Sequence, residues 1–487
     1  MTRGKALTYS ARLLAGAALG ALMAGGALAQ SINDEIVVTA QRTEQSLQDV
    51  PIAVSAFGDQ ELKDRQIETF SDIQFNVPNF AFSKSQFTTS SIVLRGVGAL
   101  AVGSDTEPAV SVHENDISLN APRLFETEFY DVERIEILRG PQGTLFGRNA
   151  TAGVINVITN KADPTKTGGY IDAEYGNFNS VKVQGAFNMP LGDRLALRLA
   201  GTTIQRDGYT TNVFTGQKID DRNINSIRAS VRWLPTDNTT VDFTSSYMRE
   251  NDHRMRSQKQ ACEAGPLQPL LGCDPSGPRA FNVPQDLNAT FAANFSNEAI
   301  ALITGSAAAG AAFGVHSVTV PFVSDVVQPT DLRKVAYDTT PKYNAEESLF
   351  LVNVKHDWDQ LSLKVNAGYG NSKVASRNDF DGGVGPLMKV PPALATLPGV
   401  FALYSDGKFP VSQFNTGITT EDNGLTGVIS GAIQSRSNRY QAIDLSIGET
   451  DYWSTEAVLT SSFDGPFNFL LGSNHAQSNG FADYGVA

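Results

Sequence analysis

Past residue 167 the chain falls into segments in which apolar and polar residues alternate at every second position, and this constrains the fold more than any other feature. Val181, Val183 and Phe187 oppose Lys182 and Gln184. Leu195, Leu197 and Leu199 oppose Arg194, Arg198 and small alanines. Ile227, Ala229, Val231 and Trp233 oppose Arg228, Ser230 and Arg232. Val241, Phe243 and Tyr247 oppose Asp242, Thr244 and Ser246, and Leu361, Leu363, Val365 and Tyr369 oppose Ser362, Lys364 and Asn366. Segments 170–175, 348–356, 453–461 and 467–472 are further candidates. Successive strand residues point to opposite faces, so each segment has one apolar and one polar face.

Two environments produce such strands. In a soluble sandwich the apolar faces meet in a core; in an outer-membrane barrel they face lipid and the polar faces line a wet lumen. Alternation alone does not choose. Three features favour the barrel: segments of about ten residues, as a tilted span requires; aromatics such as Tyr170, Trp233, Tyr247, Trp358, Tyr369 and Trp453 near segment ends, where interfacial girdles sit; and very unequal connections. A short turn joins the strands near 189 and 194, whereas about 95 residues separate Arg249 from Asn344.

Composition narrows the classes. With 41% hydrophobic and 18% charged residues and a mean hydropathy of -0.17, the chain is no bundle of transmembrane helices. A net charge of -13 argues against nucleic-acid binding through a basic surface. Two cysteines hold no disulfide framework or zinc cluster. Arg3, Lys5 and Arg12 precede an apolar run from Leu13 to Leu28 that ends Ala27-Leu28-Ala29, the pattern of a secretory signal peptide over residues 1–29; a single membrane anchor is the competing reading.

Residues 31 to about 160 read differently, as a compact mixed α/β unit. Strands are expected at Ile52–Phe57, Ser91–Gly96, Ala109–His113, Ile117–Leu119, Val132–Leu138 and Val154–Thr159. Asp59 is the expected N-cap of a helix running to about Gln66, and Ser71 opens a second that Pro78 stops. The uncharged stretch from Ala299 to Ser324 reads as part of a long loop.

Two motifs carry the most information. Glu35, Ile36, Val37, Val38, Thr39 and Ala40 form a β-prone run in polar, flexible surroundings, suited to adding a strand to another protein's sheet edge; an ordinary first strand fits the composition equally. The second runs from Val132 to Thr159 and includes Glu133, Glu136, Arg139, Gly140, Pro141, Gly143, Gly147 and Gly153. With Arg95 and Gly96 in the segment Ser-Ile-Val-Leu-Arg-Gly-Val-Gly at 91–98, this sequence resembles the TonB-dependent outer-membrane receptors. The run at 35–41 resembles their TonB box, and 91–98 and 132–159 their plug signatures. The likeness covers 35 to about 250 well.

That resemblance implies a membrane all-β barrel of the 22-stranded type, with an N-terminal mixed α/β plug in its lumen. It implies a TonB-box segment at 30–47, a plug at 48–162 and barrel from 163 to 487. It also implies an outer-membrane location in a Gram-negative bacterium, and import of a scarce small-molecule ligand, most often a ferric siderophore, driven by the inner-membrane TonB complex. Arg95, Arg139, Glu133 and Glu136 are then expected to hold the plug through charge-assisted hydrogen bonds, and the glycines to permit tight turns or close approach. Without the resemblance, Arg134 and Glu136 read as a solvated pair on one strand face. The loop region 250–345 and the plug turns near 95–105 and 114–123 are the expected ligand contacts.

The likeness has departures. The usual Ala-x-Gly-Gly appears as Ala150-Thr151-Ala152-Gly153, and residues 161–487 hold about nine strands where the family's barrel needs more than twice as many. The expectation is therefore an incomplete barrel, the front portion of a receptor. A passive porin is the alternative function, although it has no use for a box or a plug; a non-functional truncated fragment is another. A disulfide between Cys262 and Cys273 fits an oxidising compartment, against two free thiols. The five histidines (His113, His253, His316, His356, His475) have no ligand spacing, and no motif places a nucleophile beside a base, so no metal site, cofactor or enzymatic activity is expected.

Overall fold

The computed structural model describes residues 37–43, 45–84, 90–98, 108–119, 128–255, 301, 304–313, 326, 328–379, 382–384, 425–429, 432–437 and 443–486. The signal segment, Glu35, Ile36, Cys262 and Cys273 lie outside them.

The N-terminal unit begins with a two-stranded hairpin of β1 (Val37–Val38) and β2 (Gln45–Ser46). Its central sheet contains β3 (Val54–Gly58), β6 (Val110–Glu114), β7 (Ile117–Leu119), β8 (Val132–Arg139) and β9 (Gly153–Thr159), in the order β3-β8-β9-β6-β7. Only β6 and β9 pair in parallel in this sheet. A second hairpin joins β4 (Phe80–Lys84) to β5 (Ser90–Leu94). β9 is buried along its whole length, as its unbroken apolar run requires.

The expected strands are present with ends shifted by one or two residues. β4 had no signal in the sequence. The helix Asp59–Asp64 begins one residue earlier than expected, with Gly58 at the N-cap, and ends two residues sooner. The helix Phe70–Ile73 is opened by Thr69, not Ser71: Thr69 and Asp72 form a reciprocal capping box, which satisfies two orphan donors of the first turn.

The second unit is a single antiparallel sheet of nine strands: β10 (Gly168–Gly176), β11 (Ser180–Pro190), β12 (Leu195–Arg206), β15 (Arg222–Thr236), β16 (Thr239–Asp252), β18 (Lys342–Asp357), β19 (Leu361–Asp379), β22 (Ile443–Ser461) and β23 (Leu470–Val486). Neighbours in space are neighbours in this list. Short segments outside it include β13 (Thr210–Asn212), β14 (Lys218–Ile219) and β17 (Lys334–Val335), which form a three-stranded sheet, and the pair β20 (Leu425–Ile429) and β21 (Ala432–Ser437). The uncharged stretch expected to be loop contains a helix, Ala307–Phe313, where alanine's helix propensity prevails. β19 and β22 reach 19 residues, beyond the expected ten, because the strands project past the bilayer on the long-loop side.

The burial of this sheet is inverted relative to a soluble protein. Its apolar face is bare: Trp233 is 51% exposed and Tyr369 45%. Its polar face is covered, with Thr244 and Asn366 each 2% exposed. A core-seeking sheet does the opposite, so the bare face is the lipid face. Phe350–Tyr369 and Tyr369–Trp453 are register partners on the bare face, while Phe187, Trp233 and Trp358 lie near the short turns. At ~3.4 Å per residue the climb from Leu361 to Tyr369 is about 27 Å along the strand. Tilt brings this near the apolar band of about 25 Å that such barrels present. Among the described residues no helix is long and apolar enough to cross a membrane. The nine strands form an open sheet, with β10 and β23 at its edges. The barrel is thus incomplete here, as expected.

Candidate functional site

The described part of the β-prone N-terminal run is folded away. After β1 the chain reverses at Arg42, whose φ is 64°, with Arg42 N–H donating to Thr39 O at 2.9 Å. Val38 and Ala40 are fully buried in a small cluster with Leu138, Phe146 and Val154. Of the two sequence readings, the ordinary first strand is the one seen, over the two residues Val37–Val38 closed on their own neighbour.

Polar contacts hold this hairpin against both units. The Thr39 backbone N–H donates to Glu136 Oε1 and Oε2 at 3.0 and 3.1 Å, and its hydroxyl donates to the same carboxylate. Arg134 Nε donates to Glu136 at 2.8 Å and Arg134 also pairs with Glu133. Arg42 stacks on the Phe146 ring 4.1 Å from its centroid, donates to Leu145 O at 3.0 Å, and reaches Glu456 on β22 at 2.6 Å. Glu456 accepts from Asn366 of β19 at 3.1 Å, and Asn366 accepts from Asn353 of β18 at 2.8 Å. The Asn353 amide also donates to Asn115 O at 2.9 Å. The network therefore runs from the N-terminal hairpin to the plug to the wall and back.

Asp116 is the second node. It pairs with Lys364 of β19, accepts from Asn156 at 2.6 Å, and lies within 3.4 Å of the Thr39 hydroxyl. Burial opposes its ionisation, but Lys364 and Arg42 prevail and hold its carboxyl below the usual carboxylate range. Glu136 goes the other way: burial pushes its carboxyl up, against Arg134 and the Thr39 N–H. His113 donates or accepts through Nε2 to Ser111 Oγ at 3.0 Å and through Nδ1 to Asp116 O at 3.3 Å. Burial, then the charge of Arg42, lowers it to about 3, so it is neutral.

The plug-signature residues divide into two groups. Glu133 and Glu136 join the network around the N-terminal hairpin. Arg95 and Arg139 do not: among the described residues neither forms an ion pair with the nine-stranded sheet, and both flank Gly140 at the far end of β8, where Arg95 Nη1 lies 3.2 Å from where a Gly140 Cβ would sit. Gly96, Gly140 and Gly147 take positive φ, and Pro141 sits on an exposed turn. Gly147 faces Asn474 of β23, and a Cβ there would approach its side-chain nitrogen to 2.9 Å. At Gly153 a Cβ would come within 2.3 Å of Leu138 O. Close packing of β9 on β8, not turn freedom, is what requires glycine there.

Of the turn region 114–123 expected to meet ligand, 120–123 lie outside the described residues; the part at 114–117 lies beside the N-terminal hairpin, with the Asp116 carboxylate drawn to Lys364 and Asn156. Lys364 and Glu456 stand near the short turns 357–361 and 461–470, the periplasmic side of such barrels. On the opposite side the connections interlock: Asn212 exchanges hydrogen bonds with Tyr337, and Gln328 with Ala336. Sequence reasoning missed Arg42, Asp116, Lys364 and Glu456. Arg42 had a local signal, a lone cation after the run; the others had none.

Comparisons with known proteins agree with this architecture. Residues 46–154 match the family described as TonB-dependent Receptor Plug Domain. The iron-regulated outer membrane virulence protein of Vibrio cholerae is 25% identical over 259 residues, 50% of this chain and 39% of that protein. The vitamin B12 transporter BtuB of Vibrio vulnificus is 28% identical over 180 residues, 36% of this chain and 29% of that protein. The Yersinia pestis pesticin receptor is 28% identical over 223 residues, 44% and 32% of the two chains. Each match thus spans well under half of the relative. Among solved structures, the pyoverdine receptor FpvA of Pseudomonas aeruginosa superposes with a TM-score of 0.56 at 11% identity, covering 92% of this chain and 49% of that one. The siderophore receptor PiuA of Acinetobacter baumannii gives 0.53 at 14% identity, covering 90% and 47%. These likenesses speak for the fold alone. A matching plug, an inverted nine-stranded wall and outer-membrane relatives converge: residues 46–154 carry the plug domain of TonB-dependent receptors, and the chain as a whole is similar to the TonB-dependent outer-membrane receptors.

Proposed function

We propose that this chain supplies the plug, the box and part of the barrel of a receptor that imports a scarce ligand, a ferric siderophore, with energy from the TonB complex. Residues 1–29 act as its export signal, 30–47 as the TonB-box segment, 48–162 as the plug and 163–487 as barrel wall. Support for the ligand class comes from the names of similar proteins: siderophore and pyoverdine receptors among structures, an iron-regulated outer membrane protein among sequences. The loop region 250–345 and the plug turn near 95–105 are the proposed ligand contacts.

One observation carries the mechanism. A box that adds a strand to TonB must present a free backbone edge, yet Val38 and Ala40 are fully buried and the Thr39 N–H is bound by Glu136. The docked hairpin is therefore the closed state. Ligand is read on the long-loop side and the signal leaves on the box side, through the plug and the Asn353–Asn366–Glu456 line. A passive porin needs no such latch. Deleting residues 35–40 in the full receptor tests this: binding should persist while uptake stops. Uptake at the parental rate would overturn the proposal.

A further inference from the structure

The plug meets the wall in two chemically different ways. On one side the contact is apolar. Leu349 and Leu351 of β18 and Tyr452 of β22 belong to the same buried cluster as plug residues Ile117, Ile135 and Ile155. Ile117 packs so close to Gly368 of β19 that a Cβ there would come within 2.5 Å of it. The ion pairs of Lys364 and Arg42 lie on this same side and belong to the box latch.

Toward β11, β12 and β15 the chemistry changes. Among the described residues, none from these strands enters that cluster. The contacts are charged, and their sign is uniform: the wall supplies the cations. Lys182 Nζ lies 2.8 Å from Glu68 and 3.7 Å from Glu128. Arg198 grips Asp131 through two hydrogen bonds, at 2.9 and 2.5 Å. Arg228 donates to Tyr130 O at 2.5 Å with its guanidinium 4.4 Å from the Tyr130 ring centroid. Two cavities, of about 80 and 210 Å³, flank this plug segment, and both touch Phe129, Tyr130 and Val132.

These two faces respond differently to opening. Parting the apolar side exposes hydrocarbon to water with nothing in return. Parting the charged side gives both members of each ion pair water in place of each other, and an entering anion in place of the lost carboxylates, so the broken pairing is offset where the broken apolar contact is not. The register also orders the three cations: Arg198 pairs with Ser230, Arg228 with Ala200, and Lys182 with Ile204. They climb the wall in steps spanning about 20 Å along the strand at ~3.3 Å per residue. Other inward arginines keep partners on the wall itself, Arg232 with Asp242 and Arg222 with Glu250 and Asp252. Lys182, Arg198 and Arg228 are the ones matched by the plug.

We propose that the plug opens along this charged seam, moving away from β11, β12 and β15 while it stays seated on β18 and β22, and that the passage so formed takes an anionic cargo. The cargo's negative groups replace Glu68, Glu128 and Asp131 on the wall cations. The inference rests on the transport reading above and adds to it the side of the passage and the charge of what crosses.

The test needs neither ligand nor TonB, so its failure is separable from failure of that reading. In outer-membrane fractions of the full receptor, with Cys262→Ser and Cys273→Ser, single cysteines are placed at Ser226→Cys beside the seam and at Ser454→Cys on the seated side. Each is modified with negatively and positively charged methanethiosulfonates of equal size. Glu68→Gln, Glu128→Gln and Asp131→Asn then release the wall cations without changing shape. The negative reagent should modify position 226 about 10-fold faster than in the parent and outpace the positive one, since fixed charges concentrate the opposite ion, while position 454 keeps its rate. An unchanged rate at 226, equal acceleration at both positions, or preference for the positive reagent would overturn the proposal.

Discussion

Arg42 and Glu456 are 414 positions apart in sequence and 2.6 Å apart in space. Their side chains are 5% and 14% exposed, so solvent screens the pair little. It is the direct bridge between the box hairpin and the wall, and hydrogen bonds to charged groups contribute about 1.5–3 kcal/mol. Arg42→Ala should therefore raise the population of released box about 10- to 100-fold. A spin label at Val37 would report this as a mobile component without ligand. If its spectrum matches the parent's, the pair does not hold the box.

Glu136 binds the box by a different route, through the Thr39 backbone. Glu136→Gln keeps the shape but halves the acceptor capacity and removes one of the two counter-charges of Arg134, leaving Glu133. Both edges of the box then lose strength, and pull-down by TonB's periplasmic domain should rise several-fold in the ligand-free receptor. A double-mutant cycle with Arg42→Ala distinguishes one latch from two, because groups in one network couple by about 0.5–3 kcal/mol. Strict additivity would mean that the two contacts act independently.

How much of this was legible in the sequence follows from the range over which each signal acts. Alternation at Ile227–Trp233 or Leu361–Tyr369 is local, and it identified both the strands and the faces they present. β23 was largely missed because Asn474, Gln477, Ser478 and Asn479 interrupt any apolar face; its partner β22, rather than its own pattern, makes it a strand. The same holds for the site. Glu136 was found because it sits in a dense motif. Lys364 and Glu456 were not, since each is one polar residue among many on a lumenal face, and only the folded wall brings them to Asp116 and Arg42.

Packing between β8 and β9 gives a stability prediction. A methyl at Gly153 would meet Leu138 O at 2.3 Å and Leu94 Cδ2 at 2.5 Å. Backbone cannot yield as a side-chain tip can, so Gly153→Ala should destabilise the plug by about 3 kcal/mol, the upper range for overpacking. Gly143→Ala has nothing within 4 Å and is the matched control. Hydrogen exchange of the β8 and β9 amides measures both; equal protection in the two variants would contradict the packing account.

The lipid face offers a test of the membrane assignment itself. Val365 is 36% exposed, and its register partners Val354 and Ala457 lie on the same bare face, mid-way between the aromatic belts. Val365→Arg should cost about 2–4 kcal/mol in a bilayer, the midplane value for barrels. Lys373→Arg, in the charged row above the belt, should be near neutral. On a soluble protein an arginine at an exposed strand position would be harmless, so indifferent folding yields for Val365→Arg in lipid vesicles would remove the barrel reading.

His113 makes plug stability depend on pH, with a definite sign. Burial and Arg42 hold it near 3 in the folded plug, while the unfolded chain titrates near the ordinary value of about 6.5. The unfolded state therefore binds the extra proton first. Stability is fully present above about 6.5 and falls as the pH drops toward 3, with a slope of up to about 1.4 kcal/mol per pH unit. Glu136 and Glu114, both pushed up by burial, act in the opposite direction at the acid end, so the parent's curve alone does not isolate the histidine. His113→Gln does: it keeps a hydrogen-bonding side chain and removes the titration. Protection of the β6 and β9 amides, followed from pH 7.5 to 4.5, should decline more steeply in the parent than in the variant. Parallel curves would show that His113 is not the group the plug must keep neutral.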